Sequence, residues 1–318
     1  MASALALAAR CRGRTAPNPG VGCVIVANGH GVGRGWTQPG GRPHAEAMAL
    51  AQAGEKSRGA TVYVTLEPCA HVSSRGPACS ELLIAAGVAR VVAALSDPDP
   101  RTNGAGLARL QAAGIAVDVG IGAEPATRSI AGFLTRRALG RPHVTLKLAL
   151  SLDGAAAMAS GVSQWITGAE ARAHAHVERS RHEAILVGAG TWRSDAPRLD
   201  VRLPGLEDRA PRRILLSTGT ESPAGVTVIT APQDIATLEG VDHLLVEGGA
   251  ATAASFLAAD LVDRLLLYRA PIVIGGGQSL PDIGLGNLAD AHGRWKLLDA
   301  RTLGSDRVEV YERQRSAD

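Results

Sequence analysis

The sequence predicts an α/β protein with two domains. Short runs of aliphatic and β-branched residues alternate with Ala-rich stretches of helical character, as in "GATVYVTLEP" followed by "CSELLIAAGV". This alternation is typical of α/β architecture. The chain has 318 residues, which is enough for two domains that each bury a core of their own.

The first half is predicted to contain a hairpin followed by alternating strands and helices. "MASALALAAR" indicates a short helix, and "GCVIVANGHGVGRGW" a hairpin that turns at Asn28-Gly29. "HAEAMALAQAG" predicts a helix that ends at Gly54, and "GATVYVTLEP" a strand that ends at Pro68. Two further helix–strand pairs follow, and their sequences are "CSELLIAAGV", "ARVVAAL", "GLARLQAAG" and "IAVDVG".

A second α/β series begins after residues 120–142, which contain a proline, basic residues and no β pattern. We therefore predict domains at 1–142 and 143–318. The series begins with the strand "HVTLKLALSLDG", in which His143 enters the strand, and the helix "GAEARAHAHVERSR". The remaining predicted elements are "EAILVGAG", "RRILLST", "HLLVEGG", the helix "ATAASFLAADLV" and the strand "RLLLYRAPIVIG".

Composition excludes several classes of protein. The net charge of +3 and the aromatic content of 3% provide neither the basic patch nor the stacking surfaces of a nucleic-acid-binding protein. The sequence contains no membrane-length apolar segment, and no basic region precedes the apolar N-terminal run. Four cysteines in a chain of this length indicate reduced thiols and a cytoplasmic location. Cys11 and Cys23 are expected to serve packing.

Four residues have the pattern of a catalytic metal site. His44 and Glu46 begin a predicted helix, and residues two apart can converge on one target only in the first turn. Cys69 follows a strand, and Cys79 precedes a helix, where thiolate character is favoured. One His and two Cys leave the fourth tetrahedral position of zinc for water, as in catalytic sites. Taken singly, the cysteines are also compatible with buried apolar packing, and His44 with a helix start.

The motifs around these residues resemble a known enzyme family. "HAE" and "PC" match the zinc deaminase signature H-x-E…P-C-x-x-C, but the second cysteine lies ten residues after the first. Together with "PNPGVG" and "TLEPCAH", this spacing resembles the RibD family, the bifunctional deaminase–reductases of riboflavin biosynthesis. "KLALSLDG", "SQWITG", "LVGAGTWRSDAPRLDVR" and "LLVEGG" resemble the family's reductase half. The resemblance covers nearly the whole chain and is weakest at 203–240 and after 280.

The resemblance implies a cytidine-deaminase-like α/β/α domain followed by a dihydrofolate-reductase-like α/β domain. In the first, His44, Cys69 and Cys79 would bind one zinc ion, and Glu46 would carry protons to the leaving nitrogen. The implied substrate contacts are Asn18, His71 and Arg75. The loop "AHVSSRGPA" has one residue more than the usual family pattern and lacks its threonine. This difference affects the loop contacts to the substrate phosphate and not the zinc ligands.

The second half lacks a complete Rossmann fingerprint, because neither "VGAGTW" nor "IGGGQ" has the required third glycine and following acidic residue. The resemblance nevertheless implies NADPH as cofactor. Its contacts would be Ala149, Trp165, Thr191, Asp195, Ser217 and the turn at Gly249. Substrate contacts would be Ser163, Arg179, Leu199, Arg202 and Glu247. Singly, Trp165 is also compatible with a core anchor, and Thr191 and Asp195 with helix caps. Lys147 is compatible with polarising the sugar or with a solvated strand end.

The expected reaction is deamination of a phosphorylated pyrimidine followed by NADPH reduction of its ribosyl group. The family resemblance also suggests a homodimer. Two alternatives remain at this point. One is a zinc deaminase that acts on another nucleobase or on nucleic acid, with a divergent reductase-like domain. The other is a zinc-stabilised interaction module, in which metal removal would unfold the protein but abolish no turnover.

Overall fold

The computed structural model describes residues 1–72, 75–220 and 223–315. The chain divides into two compact units, Met1–Gly140 and Arg141–Asp318. The strands of the first unit are β1 (Gly22–Ala27), β2 (His30–Trp36), β3 (Thr61–Val64), β4 (Arg90–Ala93) and β5 (Ala116–Val119). Its helices are α1 (Ala2–Ala8), α2 (Ala45–Ala53), α3 (Cys79–Ala85), α4 (Ala105–Ala112), α5 (Ala123–Ser129) and α6 (Ala131–Leu139).

The first unit is built on a five-stranded sheet with the order β2-β1-β3-β4-β5. β1 pairs antiparallel with both β2 and β3, whereas β3, β4 and β5 run parallel. Aliphatic side chains of the central strands and of α3 and α4 form the core, and Val62, Leu83 and Leu110 are completely buried. The hairpin and the short N-terminal helix predicted from the sequence are confirmed.

Two glycines of β2 allow α2 to lie directly on the hairpin. A Cβ atom on Gly33 would lie 2.2 Å from the carbonyl oxygen of Ala49, and one on Gly35 would lie 2.1 Å from that of Ala45. No side chain fits at such distances, so glycine is required for this close approach. The N-terminus of α2, which carries His44 and Glu46, is thereby fixed against the sheet.

The second unit is built on an eight-stranded sheet with the order β12-β13-β11-β6-β10-β7-β8-β9. All neighbours are parallel except β13, which runs antiparallel to both β11 and β12. The strands are β6 (His143–Leu150), β7 (Ala184–Gly188), β8 (Arg212–Leu216), β9 (Thr227–Ile229), β10 (His243–Val246), β11 (Arg264–Arg269), β12 (Trp295–Leu303) and β13 (Asp306–Arg313). The helices are α7 (Ala169–Arg179), α8 (Ala189–Asp195) and α9 (Ala250–Ala258). His143 begins β6, as predicted.

Three segments differ from the sequence-based expectation. Residues 120–142, in which no β pattern was found and no helix was predicted, contain α5 and α6. The strand predicted for "RLLLYRAPIVIG" ends at Arg269, and beyond it the Asp153 carboxylate accepts hydrogen bonds from the backbone N–H groups of Ile274 and Gly275. The hairpin formed by β12 and β13 was not predicted. Among the described residues, no helix is long and apolar enough to cross a membrane.

A buried ion-pair cluster joins the start of the second unit to its C-terminal end. Arg141 donates two hydrogen bonds to the Asp263 carboxylate, at 2.7 and 3.0 Å, and the N–H of Val144 donates a third at 2.8 Å. Arg315 adds a contact of 2.6 Å to the same carboxylate. Burial alone would raise the pKa of Asp263, but these hydrogen bonds and the nearby positive charges outweigh it and lower the pKa.

Replacing Asp263 with Asn should destabilise the second unit by about 3 kcal/mol at neutral pH, because Arg141 keeps its buried charge without a countercharge. The lowered pKa means that this stabilisation is fully present above the unfolded pKa near 4 and is lost as the pH falls through the folded value. Urea unfolding at several pH values should therefore show the two proteins converging in acid. Asp299→Asn is the control, because Asp299 pairs with Arg301 on the surface, where such pairs contribute under about 1 kcal/mol. Equal effects of the two substitutions would contradict the prediction.

Candidate active sites

The three predicted zinc ligands lie together beyond the C-terminal end of β3, the central strand of the first sheet. His44 is the N-cap of α2, Cys69 lies in the loop after β3, and Cys79 is the first residue of α3. The His44 Nδ1 atom lies 3.6 Å from the Cys69 Sγ atom and 3.3 Å from the Cys79 Sγ atom. All three ligand atoms lie within 4.8 Å of one another. All four cysteines of the chain are free thiols, which excludes a Cys69–Cys79 disulfide.

The two thiols are chemically unequal in the absence of a metal. The Cys79 thiol and the Cys79 backbone N–H both donate hydrogen bonds to the Cys69 sulfur, which lowers the pKa of Cys69 to about 4. The pKa of Cys79 is raised, because its thiol donates in that hydrogen bond and because it is buried. Two sulfurs that share a proton beside an imidazole nitrogen form a donor set that suits zinc with one open position.

Glu46 lies beneath this cluster in the first turn of α2 and is only 3% exposed. Burial raises the pKa of its carboxyl to about 7, partly opposed by the charge of His44 and by a hydrogen bond with the Cys79 thiol. A carboxyl with a pKa near neutrality can both accept and release a proton under physiological conditions. Its position beside the thiol pair, outside the cluster of ligand atoms, suits a proton carrier rather than a ligand.

Asn18 lies next to the zinc ligand His44, a position that suits a residue in contact with the substrate. Its Nδ2 atom donates to the Gly41 carbonyl at 2.9 Å and lies 3.5 Å from the His44 Nε2 atom. A Cβ atom on Gly41, whose φ is +85°, would lie 2.7 Å from the Asn18 side chain. The turn that contains the two prolines therefore holds the Asn18 amide beside the imidazole.

The other two predicted contacts of the first site lie on the loop that follows Cys69. The His71 Nδ1 atom lies 3.5 Å from the Thr102 hydroxyl, and exposed Arg75 donates to the Gly40 carbonyl at 2.7 Å. Both side chains are thus on the same edge of the unit as the thiols. The unusual segment of this loop includes Ser73 and Ser74, which lie outside the described residues.

In the second unit, the predicted substrate residues converge on one carboxylate and one backbone carbonyl. Arg179 donates to both oxygens of Glu247, at 2.7 and 2.9 Å, and to the Asp200 carbonyl at 3.0 Å. The Lys147 Nζ atom lies 3.7 Å from the Glu247 carboxylate. Burial alone would raise the pKa of Glu247, but the charges of Lys147 and Arg179 outweigh it and lower the pKa to about 2. Lys147 is therefore one partner in a charged cluster and not a solvated strand end.

Leu199 and Arg202 flank the same Asp200. Leu199 is buried, and its φ of +55° places it in the left-handed region that branched side chains rarely adopt. Such backbone strain concentrates at functional sites. The Arg202 side chain is 51% exposed, and its Nε atom lies 3.4 Å from the Asp200 carboxylate. Two guanidinium groups thus contact Asp200, that of Arg179 at its carbonyl and that of Arg202 at its carboxylate.

The predicted cofactor residues Thr191 and Gly249 are in direct contact. The Gly249 N–H donates to the Thr191 hydroxyl at 3.0 Å, and Gly249 is the N-cap of α9. Neither Thr191 nor Asp195 caps α8, because its N-cap is Gly188 and no side chain bonds there. Ser217 is buried at the end of β8 and accepts a hydrogen bond from the Gly219 N–H.

The remaining predicted residues of the second unit are less closely grouped. Trp165 is 65% exposed, which excludes a core anchor, and the Arg172 guanidinium lies 4.9 Å from its ring centroid. Half-buried Ser163 lies two residues before it, and Ala149 lies on β6 next to Tyr268 of β11.

Comparisons with known proteins cover both units. A profile of the cytidine and deoxycytidylate deaminase zinc-binding region matches residues 1–95, and one of the RibD C-terminal domain matches 142–239 and 234–308. RibD of Aquifex aeolicus is 39% identical, over 98% of this chain and 97% of its own length. The chain belongs to the RibD family. It is accordingly a bifunctional enzyme of riboflavin biosynthesis, with a deaminase domain that binds zinc and a reductase domain.

Solved structures of RibD proteins agree with this assignment over the full length. RibD of Acinetobacter baumannii superposes with a TM-score of 0.86 at 36% identity, covering 99% of this chain and 98% of its own. A diaminohydroxyphosphoribosylaminopyrimidine deaminase/5-amino-6-(5-phosphoribosylamino)uracil reductase from Thermotoga maritima superposes with a TM-score of 0.87 at 30% identity, covering 99% and 97%. Membership of the RibD family confirms the predicted fold class of each domain. It also confirms zinc and NADPH as the predicted cofactors.

Sequence reasoning assigned no role to Glu67, although it lies within the RibD-like "TLEPCAH" motif. Its carboxylate is 3% exposed and accepts hydrogen bonds from four backbone N–H groups. The donors are Asp97, Gly104, Gly106 and Leu107, at 2.9 to 3.2 Å. The loop before α4, which brings Thr102 to His71, is thereby tied to the strand end that carries Cys69. An acidic residue at the end of a buried strand was the available signal.

Proposed function

We propose that residues 1–142 catalyse the hydrolytic deamination of 2,5-diamino-6-(5-phosphoribosylamino)pyrimidin-4(3H)-one. We further propose that residues 143–318 then reduce the ribosyl side chain of the product to ribityl with NADPH. The observation that carries the first step is the convergence of His44, Cys69 and Cys79 above the buried carboxyl of Glu46. Full-length similarity to RibD proteins supports the pairing of the two reactions on one chain.

In the first step, His44, Cys69 and Cys79 would hold the zinc ion. Zinc supplies Lewis-acid activation of water at neutral pH when it is bound at such a site. Glu46 takes a proton from the attacking water and delivers it to the nitrogen that leaves as ammonia, a transfer that its buried position beside the ligand cluster suits. Asn18 orients the pyrimidine beside the His44 imidazole, and His71 and Arg75 bind the ribose phosphate through charge-assisted hydrogen bonds.

In the second step, the residues of the second unit bind and orient the reactants, while NADPH supplies the hydride. The sugar chain contacts Lys147 and Glu247, and the forked donors of Arg179 and Arg202 bind its phosphorylated end. Ser163 and Leu199 complete the substrate contacts. The N-terminus of α9 at Gly249 presents free N–H groups to a cofactor phosphate. The other cofactor contacts are Ala149, Trp165, Thr191, Asp195 and Ser217.

We also propose a cytoplasmic homodimer that binds neither nucleic acid nor membranes. The free thiols support a reducing compartment. Exposed apolar side chains of the second unit, such as Leu152, Val162 and Val273, support burial of that surface in an assembly. The low net charge of +3 argues against the alternative of a nucleic-acid deaminase.

The assignment is tested by incubating the protein anaerobically with the diaminopyrimidine substrate, with and without NADPH, and identifying products by mass. Without NADPH, the product should carry oxygen in place of one amino group, with release of ammonia. With NADPH, the same product should gain two hydrogens. Release of ammonia from cytidine or single-stranded DNA, but not from this substrate, would favour the alternative deaminase.

Replacing Arg202 with Ala should raise the KM of the reduction about tenfold or more, because a charge-assisted contact to the substrate phosphate is lost. Deamination should be unchanged. Arg198→Ala is the control, since Arg198 lies on the same loop and also pairs with Asp200 but is 74% exposed. Both rates are measured on the full chain, as ammonia release and as NADPH oxidation. Equal losses in the two reactions would argue against separate substrate sites.

A further inference from the structure

His176 lies on α7, one helical turn before Arg179, and contacts the segment that carries Arg202. The Arg202 backbone N–H donates a hydrogen bond to the His176 Nδ1 atom at 3.3 Å, and the same atom lies 3.2 Å from the Asp200 carbonyl oxygen. Its Nε2 atom lies 3.4 Å from the Arg202 Nη2 atom. The ring is half-buried, and its two nitrogens face the backbone N–H and the guanidinium of Arg202.

These contacts require a neutral ring. The Arg202 backbone N–H at Nδ1 and the Arg202 guanidinium at Nε2 can only donate, so each needs a ring nitrogen with a lone pair. A neutral ring offers that lone pair to Arg202 at one nitrogen in either tautomer. A doubly protonated ring has no lone pair for Arg202 and would bring two cations together. Only the neutral ring therefore holds Arg202 in this position.

The same carbonyl links the two arginines of the substrate site. The Asp200 carbonyl accepts from Arg179 at 3.0 Å and lies 3.2 Å from the His176 Nδ1 atom. Arg179 is itself fixed by two hydrogen bonds to the Glu247 carboxylate. His176 is thus the connection between a rigidly held arginine and an arginine whose side chain is 51% exposed.

We propose that His176 is a positioning residue of the reductase, whose neutral imidazole accepts from Arg202, holds it so that its guanidinium faces the phosphate of the substrate, and releases it on protonation. The inference rests on the proposed role of Arg202 as a substrate contact. It assigns to His176 an effect on substrate affinity and none on the hydride-transfer step. Holding a long side chain in its binding geometry lowers the entropy cost of binding.

The surroundings of His176 favour the neutral ring at physiological pH. Its pKa is lowered by burial first, and then by the positive charges of Arg179 and Arg202. The Asp200 carbonyl and the Glu247 carboxylate oppose this shift. The groups that face the ring are therefore two arginines, Asp200 and Glu247, and protonation becomes significant only under mildly acidic conditions.

The test compares two substitutions that differ in hydrogen bonding. His176→Leu removes the acceptor and should raise the KM of NADPH-dependent reduction about tenfold, with kcat changed by less than about twofold. His176→Gln can place an amide oxygen near the position of Nε2, and it should restore most of the affinity. The kcat of reduction and thermal unfolding serve as the controls for folding of the second unit, because deamination takes place in the first unit. A KM unchanged in the Leu variant, or raised equally in both, would overturn the proposal.

The pH profile isolates the protonation of the ring. The substrate phosphate itself titrates near pH 6, so the wild-type KM alone is not informative. The Gln variant retains the contribution of the phosphate and lacks that of the imidazole. The wild-type KM should therefore rise more steeply than that of the Gln variant between about pH 8 and about pH 5.5. Parallel profiles would overturn the proposal.

A double-mutant cycle separates this inference from the role of Arg202. If His176 acts through Arg202, His176→Leu should have little further effect on KM in a protein that already carries Arg202→Ala. Additive effects would show that His176 acts elsewhere and would overturn the inference alone. A wild-type KM for Arg202→Ala would instead overturn the proposed substrate contact, and the inference with it.

Discussion

Glu46→Gln should lower the rate of ammonia release by about 10²- to 10⁴-fold, the usual contribution of a positioned acid–base group. The substitution preserves the shape of the side chain and its place beneath the thiols, but an amide cannot take a proton from water and return it. Zinc content should be unchanged, since the ligand atoms belong to His44, Cys69 and Cys79. Reduction of the deaminated substrate should continue at the wild-type rate.

Glu55→Gln is a matched control for this experiment. Glu55 follows the C-terminal end of α2 and is exposed, so the same chemical change there should leave both reactions intact. Ammonia release, metal content and NADPH oxidation are measured on the same preparation. An undiminished deamination rate in the Glu46 variant would exclude the carboxyl as the proton carrier, and loss of zinc would mean that it supports the metal site instead.

The parts of the fold that were predictable from the sequence are those in which local signals agree with the final structure. The Asn28-Gly29 turn, the glycine that ends α2 and the β-branched run of β3 each specify their element within a few residues. By contrast, β12 lies at the edge of its sheet, none of its residues is buried, and its register shifts between Leu297 and Asp299. A strand of this kind carries no alternating apolar pattern that could reveal it.

The helices of residues 123–139 were missed for a different reason. Pro125 is the third residue of α5, where the first turn needs no hydrogen bond from its nitrogen, so it does not interrupt the helix. The segment has that proline and no β pattern in its sequence, and no helix was predicted for it. The segment after β11 is bound by the carboxylate of Asp153, which lies more than a hundred residues away in sequence. Contacts of that range leave no local pattern.

The two candidate sites differ in the same way. The zinc site was predictable because each ligand marks the end of a local element, and the four residue types together are chemically distinctive. In the second unit, the bidentate contact between Arg179 and Glu247 spans 68 positions in the sequence. The family resemblance placed both residues in the substrate site but did not predict that they contact each other. The role of Glu67 as an acceptor for a distant loop, and that of His176 beside Arg202, required the three-dimensional structure.

Cys79→Ala should abolish both zinc binding and deamination, because two remaining ligands do not form a tetrahedral zinc site. The first unit should nevertheless stay folded, since its sheet and helices enclose a core of aliphatic side chains that does not depend on the metal. Reduction of the deaminated substrate should be unaffected, because the second unit has a core of its own. Metal analysis, thermal unfolding and the two activity assays measure these outcomes.

Cys11→Ala is the control for removing a buried thiol. Cys11 is also a buried thiol of the first unit that forms no disulfide, but it donates to the Ala8 carbonyl and does not belong to the group of zinc ligands. It should keep zinc and both activities, at a cost of about 1 kcal/mol in stability. Two results together would show that the metal is structural, as in a zinc-stabilised interaction module. These are unfolding of the Cys79 variant and ammonia release by the wild-type protein that does not depend on zinc. A folded, zinc-free chain that still reduces but no longer deaminates requires that the metal act in catalysis.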